Sequence, residues 1–432
     1  MQFNCVAVLA ALACVVLHVG AAAGHSSSSP AAGILVVGSV NADVIVPLLK
    51  MPVVGETVVA KDTESTGQTI AGGKGANTAV TCARLGIPTK FACQFGSDSN
   101  AAMLERTLLD NAVDISLCQT VQGKPSGMGL VLLCQEGGST CIVCSGSNGA
   151  WDADRVAALA AYLSDPSNPS DAPDAPSERP ARAPKPTCLM LQMEVPQHVN
   201  EALAQAARAA GIPVFQDLGG DDRPVSPAHL CACTYLSPNL TELKRLVGPA
   251  LPCGTRDEVL AACRHLQALG ARSVLVTMGA EGSLLLTETG EVLHQAAVKA
   301  GEVVDETGAG DNFRAAFCAA HFAEGRQAKE AMLMGACAAA VSVSRMGAIP
   351  ACCRRDECDA LVQRCKVLDL SGGSTEGIGS SLGRSNNISS SSSSSSGGSG
   401  SASAESDAAT APFPLKFASR LNSMKVCPYA LI

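Results

Sequence analysis

Asp311 stands in Val304-Asp305-Glu306-Thr307-Gly308-Ala309-Gly310-Asp311-Asn312-Phe313. Gly308, Ala309 and Gly310 leave a run of backbone N–H groups unobstructed, where a strand-like segment from Glu302 to Val304 gives way to a helical run from Asn312 to Ala323. N–H groups at a helix N-terminus attract anions. A carboxylate beside them would repel a bound phosphate, so it serves better as a base, taking the proton of a hydroxyl that attacks the phosphorus. The same residues also fit a Gly-rich turn in which Asp311 only caps the helix.

A second glycine cluster, Ile70-Ala71-Gly72-Gly73-Lys74-Gly75-Ala76-Asn77-Thr78-Ala79-Val80, opens another helix, which runs to Leu85 and is stopped by Gly86. It is not a P-loop. No glycine lies five residues before Gly73, and Gly75 follows Lys74 where a Ser or Thr would bind Mg²⁺. Nor is Gly308-x-Gly310 a dinucleotide fingerprint, because Phe313 occupies the place of the third glycine. Two Gly-rich helix starts, one with Lys and Asn and one with Asp, suggest a polyol on one side and a phosphate on the other.

The elements that must position these residues alternate. Ile34 to Val37, Thr89 to Cys93, Cys188 to Met193, Val214 to Asp217, Tyr235 to Ser237 and Val274 to Thr277 are short apolar runs, most of them followed by Ala- and Leu-rich helical stretches. That order predicts βαβ units and a mostly parallel sheet, whose ligands bind beyond the carboxyl ends of the strands. Asn41, Asp43, Glu194, Asn239, Thr277 and Asp311 all lie just past strand ends, so one crevice could collect them. Ser237 followed by Pro238 reads as a capped helix start. By contrast, Val53 to Ile70 and Gly127 to Cys144 read as strands without intervening helices.

Taken together the motifs resemble the ribokinase-like (PfkB) carbohydrate kinases. Gly-Gly-Lys-Gly-Ala-Asn-x-Ala at Gly72 and Asp-x-Thr-Gly-Ala-Gly-Asp-x-Phe at Asp305 are similar to that family's two motifs. Gly38-Ser39-Val40-Asn41-Ala42-Asp43, Met51-Pro52, Gly55-Glu56-Thr57, Leu191-Gln192-Met193-Glu194, Ser237-Pro238-Asn239-Leu240-Thr241-Glu242, Val276 to Gly282 and Ser344 to Ala348 continue the likeness in family order, from about Gly33 to Leu368.

The resemblance implies a three-layer α/β/α fold with a mostly parallel central sheet and a small β-sheet lid, its strands within about 53–71 and 120–147. It implies ATP-dependent phosphorylation of D-ribose at its primary hydroxyl. Asp311 would be the base, and Gly308, Ala309 and Gly310 the anion hole. The sugar would be held by Asn41, Asp43, Gly72, Gly73, Lys74, Asn77 and Glu194. Asn239, Thr277, Gly279, Gly282 and Gly310 would meet the nucleotide, and Glu242 would hold Mg²⁺ through water. Asp305 and Thr307, with backbone near Ser342, Arg345 and Gly347, correspond to a monovalent-cation (K⁺) site. A homodimer would form through the lid. Other pentose, ketose or nucleoside kinases of the family, or a catalytically silent sugar-binding protein, are the alternatives. Two departures stand out: Glu306 replaces a usual Thr or Ser, and Gln216-Asp217-Leu218-Gly219-Gly220 stands where Asn-Pro-Ala-Pro is usual.

Composition fits a soluble α/β enzyme, with 47% apolar and 16% charged residues, and a formal charge of −8 offers no nucleic-acid footprint. The 20 cysteines lie scattered through apolar runs, as at Cys82, Cys93, Cys318 and Cys337, and read as reduced thiols that pack as small hydrophobes. Cys141 and Cys144, three apart in a strand, would point to opposite faces and cannot share a metal. Residues 1–32 form an extension whose apolar stretch, Cys5 to Ala23, ends like a secretory signal but has no Lys or Arg before it. An ATP-using enzyme is expected in the cytosol or an ATP-containing organelle such as a plastid. The kinase domain is expected at 33–368, interrupted by a Pro-rich solvated insert at 164–187 and followed by a Ser/Gly-rich tail at 369–432.

Overall fold

Strand β1 (Ile34–Val37) sends Ile34 and Val36 into one core and Leu35 and Val37 into another, which is why it reads as a continuous apolar run. It belongs to a computed structural model that describes residues 33–63, 66–134, 139–165 and 185–370. After β1 the chain turns away into β2 (Asn41–Leu48) and β3 (Thr69–Gly72), then returns through helix α1 (Lys74–Arg84) to β4 (Thr89–Ala92), which lies parallel to β1. The short strand β5 (Gln94–Phe95), helix α2 (Ser99–Asp110) and β6 (Gln119–Thr120) lead to the hairpin β7 (Gly127–Cys134) and β8 (Ser139–Cys144).

Helix-and-strand units then repeat: α3 (Ala153–Ser164), β9 (Cys188–Met193), α4 (Gln197–Ala209), β10 (Val214–Gly220), α5 (Pro227–Ala232), β11 (Tyr235–Ser237), α6 (Leu240–Val247), α7 (Arg256–Ala268) and β12 (Ser273–Thr277). An antiparallel pair, β13 (Ser283–Leu286) and β14 (Val292–Gln295), closes one edge, and α8 (Ala309–Cys318), α9 (Ala328–Val343) and α10 (Arg355–Leu370) follow. Among the described residues the main sheet has eight strands, in the order β14-β13-β12-β11-β10-β9-β1-β4.

Helices cover both faces. Ala76, Ala79 and Val80 of α1 and Ala315, Ala316 and Phe317 of α8 join the core of Ile34 and Val36. Leu159 and Leu163 of α3 and Val199 and Leu203 of α4 join that of Leu35 and Val37. The expected three-layer α/β/α fold is the observed one. A separate four-stranded sheet, β3-β2-β7-β8, forms the expected small sheet. Cys82, Cys93, Cys318 and Cys337 are buried free thiols.

Several sequence expectations need correction. Among the described residues of Val53 to Ile70, only Thr69 and Ile70, the start of β3, are strand. Val53, Val54 and Val59 are exposed and Gly55 turns the chain at φ 86°, so the described part of 53–63 never joins a sheet. The missed strand of the small sheet is β2, so Asn41 and Asp43 lie within a strand. Glu302 to Val304 is irregular backbone, tied to the end of α9 by Val304 N–H donating to Val343 O, and Val303 and Val304 face solvent. The helix after it starts at Ala309, three residues early, and ends in a π-turn at Ala319–Ala323. Asn239, not Ser237, caps α6, because Ser237 still belongs to β11.

The stretch Cys5 to Ala23 and residues 371–432 lie outside the described residues. Among those that are described, no helix is long and apolar enough to cross a membrane. Most of the insert, 166–184, is likewise outside, but its flanks are anchored: Leu163 of α3 is fully buried and β9 is buried along its length. Replacing 166–184 with a short Gly/Ser linker, or ending the chain after about Gly372, is therefore expected to leave turnover and Tm nearly intact. Insoluble protein from either deletion would show that these boundaries cut into the fold.

Candidate active site

The first turn of α8 is made possible by Gly308, which takes the left-handed conformation (φ 77°, ψ 0°) as the residue before the helix and turns the chain sharply into it. Asp311 follows inside that turn, 4% exposed. Its Oδ2 accepts a 2.8 Å hydrogen bond from Asn77 Nδ2, and its Oδ1 lies 3.4 Å from Lys74 Nζ. Both partners come from α1, whose apolar face packs against α8 in the shared core. The two Gly-rich helix starts therefore meet.

Lys74 is held at both ends. Its backbone N–H donates to Glu194 Oε2 at 3.1 Å, and Ser39 Oγ donates to the same oxygen at 2.5 Å. Its ammonium lies between Asp311 and Asp217, 3.3 Å from Asp217 Oδ2. Burial alone would lower the Lys74 pKa, but Asp217 and Asp311 more than reverse this and keep the ammonium charged.

On the small sheet, Asn41 and Asp43 stand opposite Gly72 and Ile70 across the β2–β3 pair. Gly72 is required by close approach, since a Cβ there would sit 1.9 Å from Asp43 Oδ2. Asn148, in the turn after β8, donates to Asn41 Oδ1 at 2.7 Å and is itself bonded to both polar groups of the Val40 backbone, so the Asn41 amide is oriented. Burial, with Glu194 and Asp311 nearby, pushes the Asp43 carboxyl up to about 7. The N–H groups of Gly73 and Gly129 lie close to it without satisfying Oδ1, which is buried with no hydrogen-bond partner. Asn77 Oδ1 is also buried and unpaired. Buried polar atoms are ordinarily paired, so these two acceptors stand out on the α1 and β2 side of the site.

Asn239 and Glu242 are neighbours of Thr277: Thr277 N–H donates to Pro238 O at 3.1 Å, and Thr277 is the last residue of β12. Asn239 Oδ1 accepts from Glu242 N–H, and the Glu242 carboxylate accepts 2.8 Å bonds from Asn239 N–H and Nδ2, a reciprocal cap of α6. Gly279 and Gly282 bracket the short turn beyond β12. Asp305 accepts from the N–H and hydroxyl of Thr307 and from Gly347 N–H at 2.8 Å, tying the loop before α8 to the chain after α9. The side chains of Ser342 and Arg345 are engaged elsewhere, with Ala339 O and Glu357, so only their backbone could serve the loop. Glu306 is exposed and adds no buried charge there.

Sequence reasoning missed four residues. Ser39 and Asn148 act by positioning Glu194 and Asn41. Asp217, the end of the expected strand and part of the departure at 216–220, lies within β10, which continues to Gly220, and reaches both Lys74 and Arg314. Arg314, 3% exposed, was signalled only by being a charged residue in an otherwise apolar helical turn.

Residues 31–354 match the pfkB family of carbohydrate kinases. The chain is 37% identical over 319 residues to a ribokinase of Arabidopsis thaliana, covering 73% of this chain and 77% of that one. It is 29% identical over 323 residues to a ribokinase of Schizosaccharomyces pombe, covering 73% and 93%. Its fold is similar to the solved structure of Arabidopsis thaliana ribokinase complexed with ribose and ATP, with TM-score 0.65 and 34% identity over 77% of this chain and 99% of that one.

Proposed function

The chain belongs to the pfkB family of carbohydrate kinases, and from that premise we propose that it transfers the γ-phosphoryl group of ATP to the primary hydroxyl of D-ribose, giving D-ribose 5-phosphate and ADP. The observation that carries this reading is the position of Asp311. Its carboxylate faces Lys74 and Asn77 while its backbone belongs to the first turn of α8. A hydroxyl bound against α1 thus has a base on one side and backbone N–H donors on the other.

The unpaired Asp43 Oδ1 and Asn77 Oδ1 accept sugar hydroxyls, and the Asn41 amide, its oxygen taken by Asn148, offers its NH₂. Asp311 takes the proton from the attacking hydroxyl as the new O–P bond forms and the bond from Pγ to the bridging oxygen of ADP breaks. The N–H groups at Gly308, Ala309 and Gly310 meet the charge on the transferred group, and Lys74 stays charged beside the base. The small sheet closes over the sugar and excludes water.

Asn239, Thr277, Gly279 and Gly282 lie on the nucleotide side. Mg²⁺ fits at Glu242 through water, since each carboxylate oxygen keeps a second lone pair beyond its bond to Asn239. When bound it supplies positive charge to the phosphates. A K⁺ ion fits the loop that Asp305 ties to Gly347, where the main-chain oxygens near Thr307, Ser342, Arg345 and Gly347 are the donors available. It would stiffen the backbone that carries the anion hole. Met128 and Ile142, left exposed on the small sheet, support a homodimer through that sheet, which sedimentation of the intact chain tests. We place the kinase domain at 33–368, in an ATP-containing compartment.

The test is ADP release over a panel of pentoses, ketohexoses and nucleosides, with and without K⁺. Ribose is expected as the preferred acceptor. No release with any sugar would leave only a binding protein.

Acidity provides a second check. Because the Asp43 carboxyl titrates at about 7, it accepts hydroxyls fully only above that pH, so the KM for ribose is expected to fall as the pH rises through about 7. The sign for stability is opposite. A raised carboxyl pKa stabilises the fold below the unfolded value, and that contribution is lost as the pH climbs through about 7. The apoprotein is therefore expected to melt lower at alkaline pH, with ribose restoring part of the difference. A pH-independent ribose KM would remove Asp43 from the sugar contact.

A further inference from the structure

Arg314 is one helical turn beyond Gly310 in α8, on the same face. Helical side chains lean toward the N-terminus, so its guanidinium reaches back to the anion hole. A Cβ at Gly310 would lie 2.6 Å from Arg314 Nη1, which places that nitrogen against the backbone of the hole itself.

The rest of the guanidinium is anchored. Nε donates to Ser237 Oγ at 3.0 Å and Nη2 to Ser237 O at 3.2 Å. Nη2 also lies 3.3 Å from Asp217 Oδ1 and 3.7 Å from Glu242 Oε2. None of these contacts uses Nη1, although the side chain is 3% exposed. A buried guanidinium fixed on one edge, with the other edge turned to an anion site, is a preorganised donor.

We propose that Arg314 is a further catalytic residue, whose Nη1 hydrogen-bonds an equatorial oxygen of the transferring γ-phosphoryl group. This rests on the kinase reading above and adds a contact that neither glycine motif supplies. It also explains the departure at 216–220: Asp217 holds Arg314 with one oxygen and Lys74 with the other. The phosphate-side cation and the sugar-side cation are thereby set at a fixed spacing before substrates bind.

The competing role is simple charge neutralisation of Asp217 and Glu242. Arg314→Lys and Arg314→Gln distinguish the two. Both are expected to lower kcat by ~10²-fold or more, the cost of one preorganised donor to a developing oxyanion, with the KM for ribose unchanged. Affinity for ADP with aluminium fluoride, a mimic of the transferring group, is expected to fall in parallel with kcat, while affinity for ADP alone stays put. The charge-balanced double variant Arg314→Gln with Asp217→Asn is expected to remain as slow. Recovery of turnover to within a few-fold in that double variant, or near-normal turnover in Arg314→Lys, would overturn the proposal.

The wild-type protein gives an answer that needs no variant to fold. A crystal structure with ribose, ADP and aluminium fluoride is expected to place Nη1 about 3 Å from a fluoride, and a guanidinium out of reach of it refutes the contact. A wild-type protein that turns over no sugar at all would instead refute the kinase reading, before any variant is made.

Discussion

Asp311→Asn is expected to lower kcat by at least ~10²-fold, the lower range for a positioned general base, with little change in ribose affinity or Tm. The amide keeps the shape of the carboxylate and can still accept from Asn77 through its oxygen. Lys74 loses one carboxylate but retains Asp217 at 3.3 Å and, through its backbone, Glu194. The sugar pocket therefore survives the substitution while the proton acceptor does not. Single-turnover ADP formation together with ribose titration by calorimetry separates the two effects. A variant with near-normal turnover would leave Asp311 as a helix-turn residue and remove the base from the mechanism.

Asp43→Ala carries the second large effect. A site built around particular hydroxyls leaves buried groups unpaired when a contact is lost, at ~1–3 kcal/mol per group. A carboxylate can accept from two adjacent hydroxyls. The KM for ribose is accordingly expected to rise roughly 10-fold or more, with the KM for ATP barely moved, since Asp43 belongs to the small sheet and not to the nucleotide side. Removing a carboxyl that burial has pushed up to about 7 is also expected to flatten the fall in Tm as the pH rises through that value. Equal losses for ribose and ATP would point to a misplaced small sheet instead. If the intact protein prefers a ketohexose or a nucleoside, ribose is the wrong acceptor. The proposed roles of Asp311 and the start of α8 in phosphoryl transfer are independent of that choice.

Much of the fold was legible because its strands are buried on both faces and appear as unbroken apolar runs, as in Ile34–Val37 and Cys188–Met193. The α1 boundaries were equally plain, with Gly73 before Lys74 and Gly86 at φ 81° after Arg84. The small sheet was harder. Strand β2 begins Asn-Ala-Asp, a composition that reads as a turn, and it becomes a strand only because β3 and β7 pair with it on either side. The start of α8 was placed too late for a related reason: Gly308 to Gly310 has low helix propensity, and the turn is formed by Gly308 and held through the loop that Asp305 anchors.

By itself the sequence determined which groups are present: a carboxylate after a run of unobstructed N–H groups, a lysine and an asparagine at a second helix start, and their order along an alternating α/β chain. Local residue type and spacing suffice for that, because helix starts and turns are local events. The tertiary structure decided which groups share a space. Asp217 and Arg314, 97 positions apart in numbering, meet only because β10 and α8 converge at one crevice. Ser39 holds Glu194 across a separation of 155 residues, and Asn148 orients Asn41 across 107. Contacts between distant side chains depend on how the layers pack, so no periodicity or motif along the chain records them.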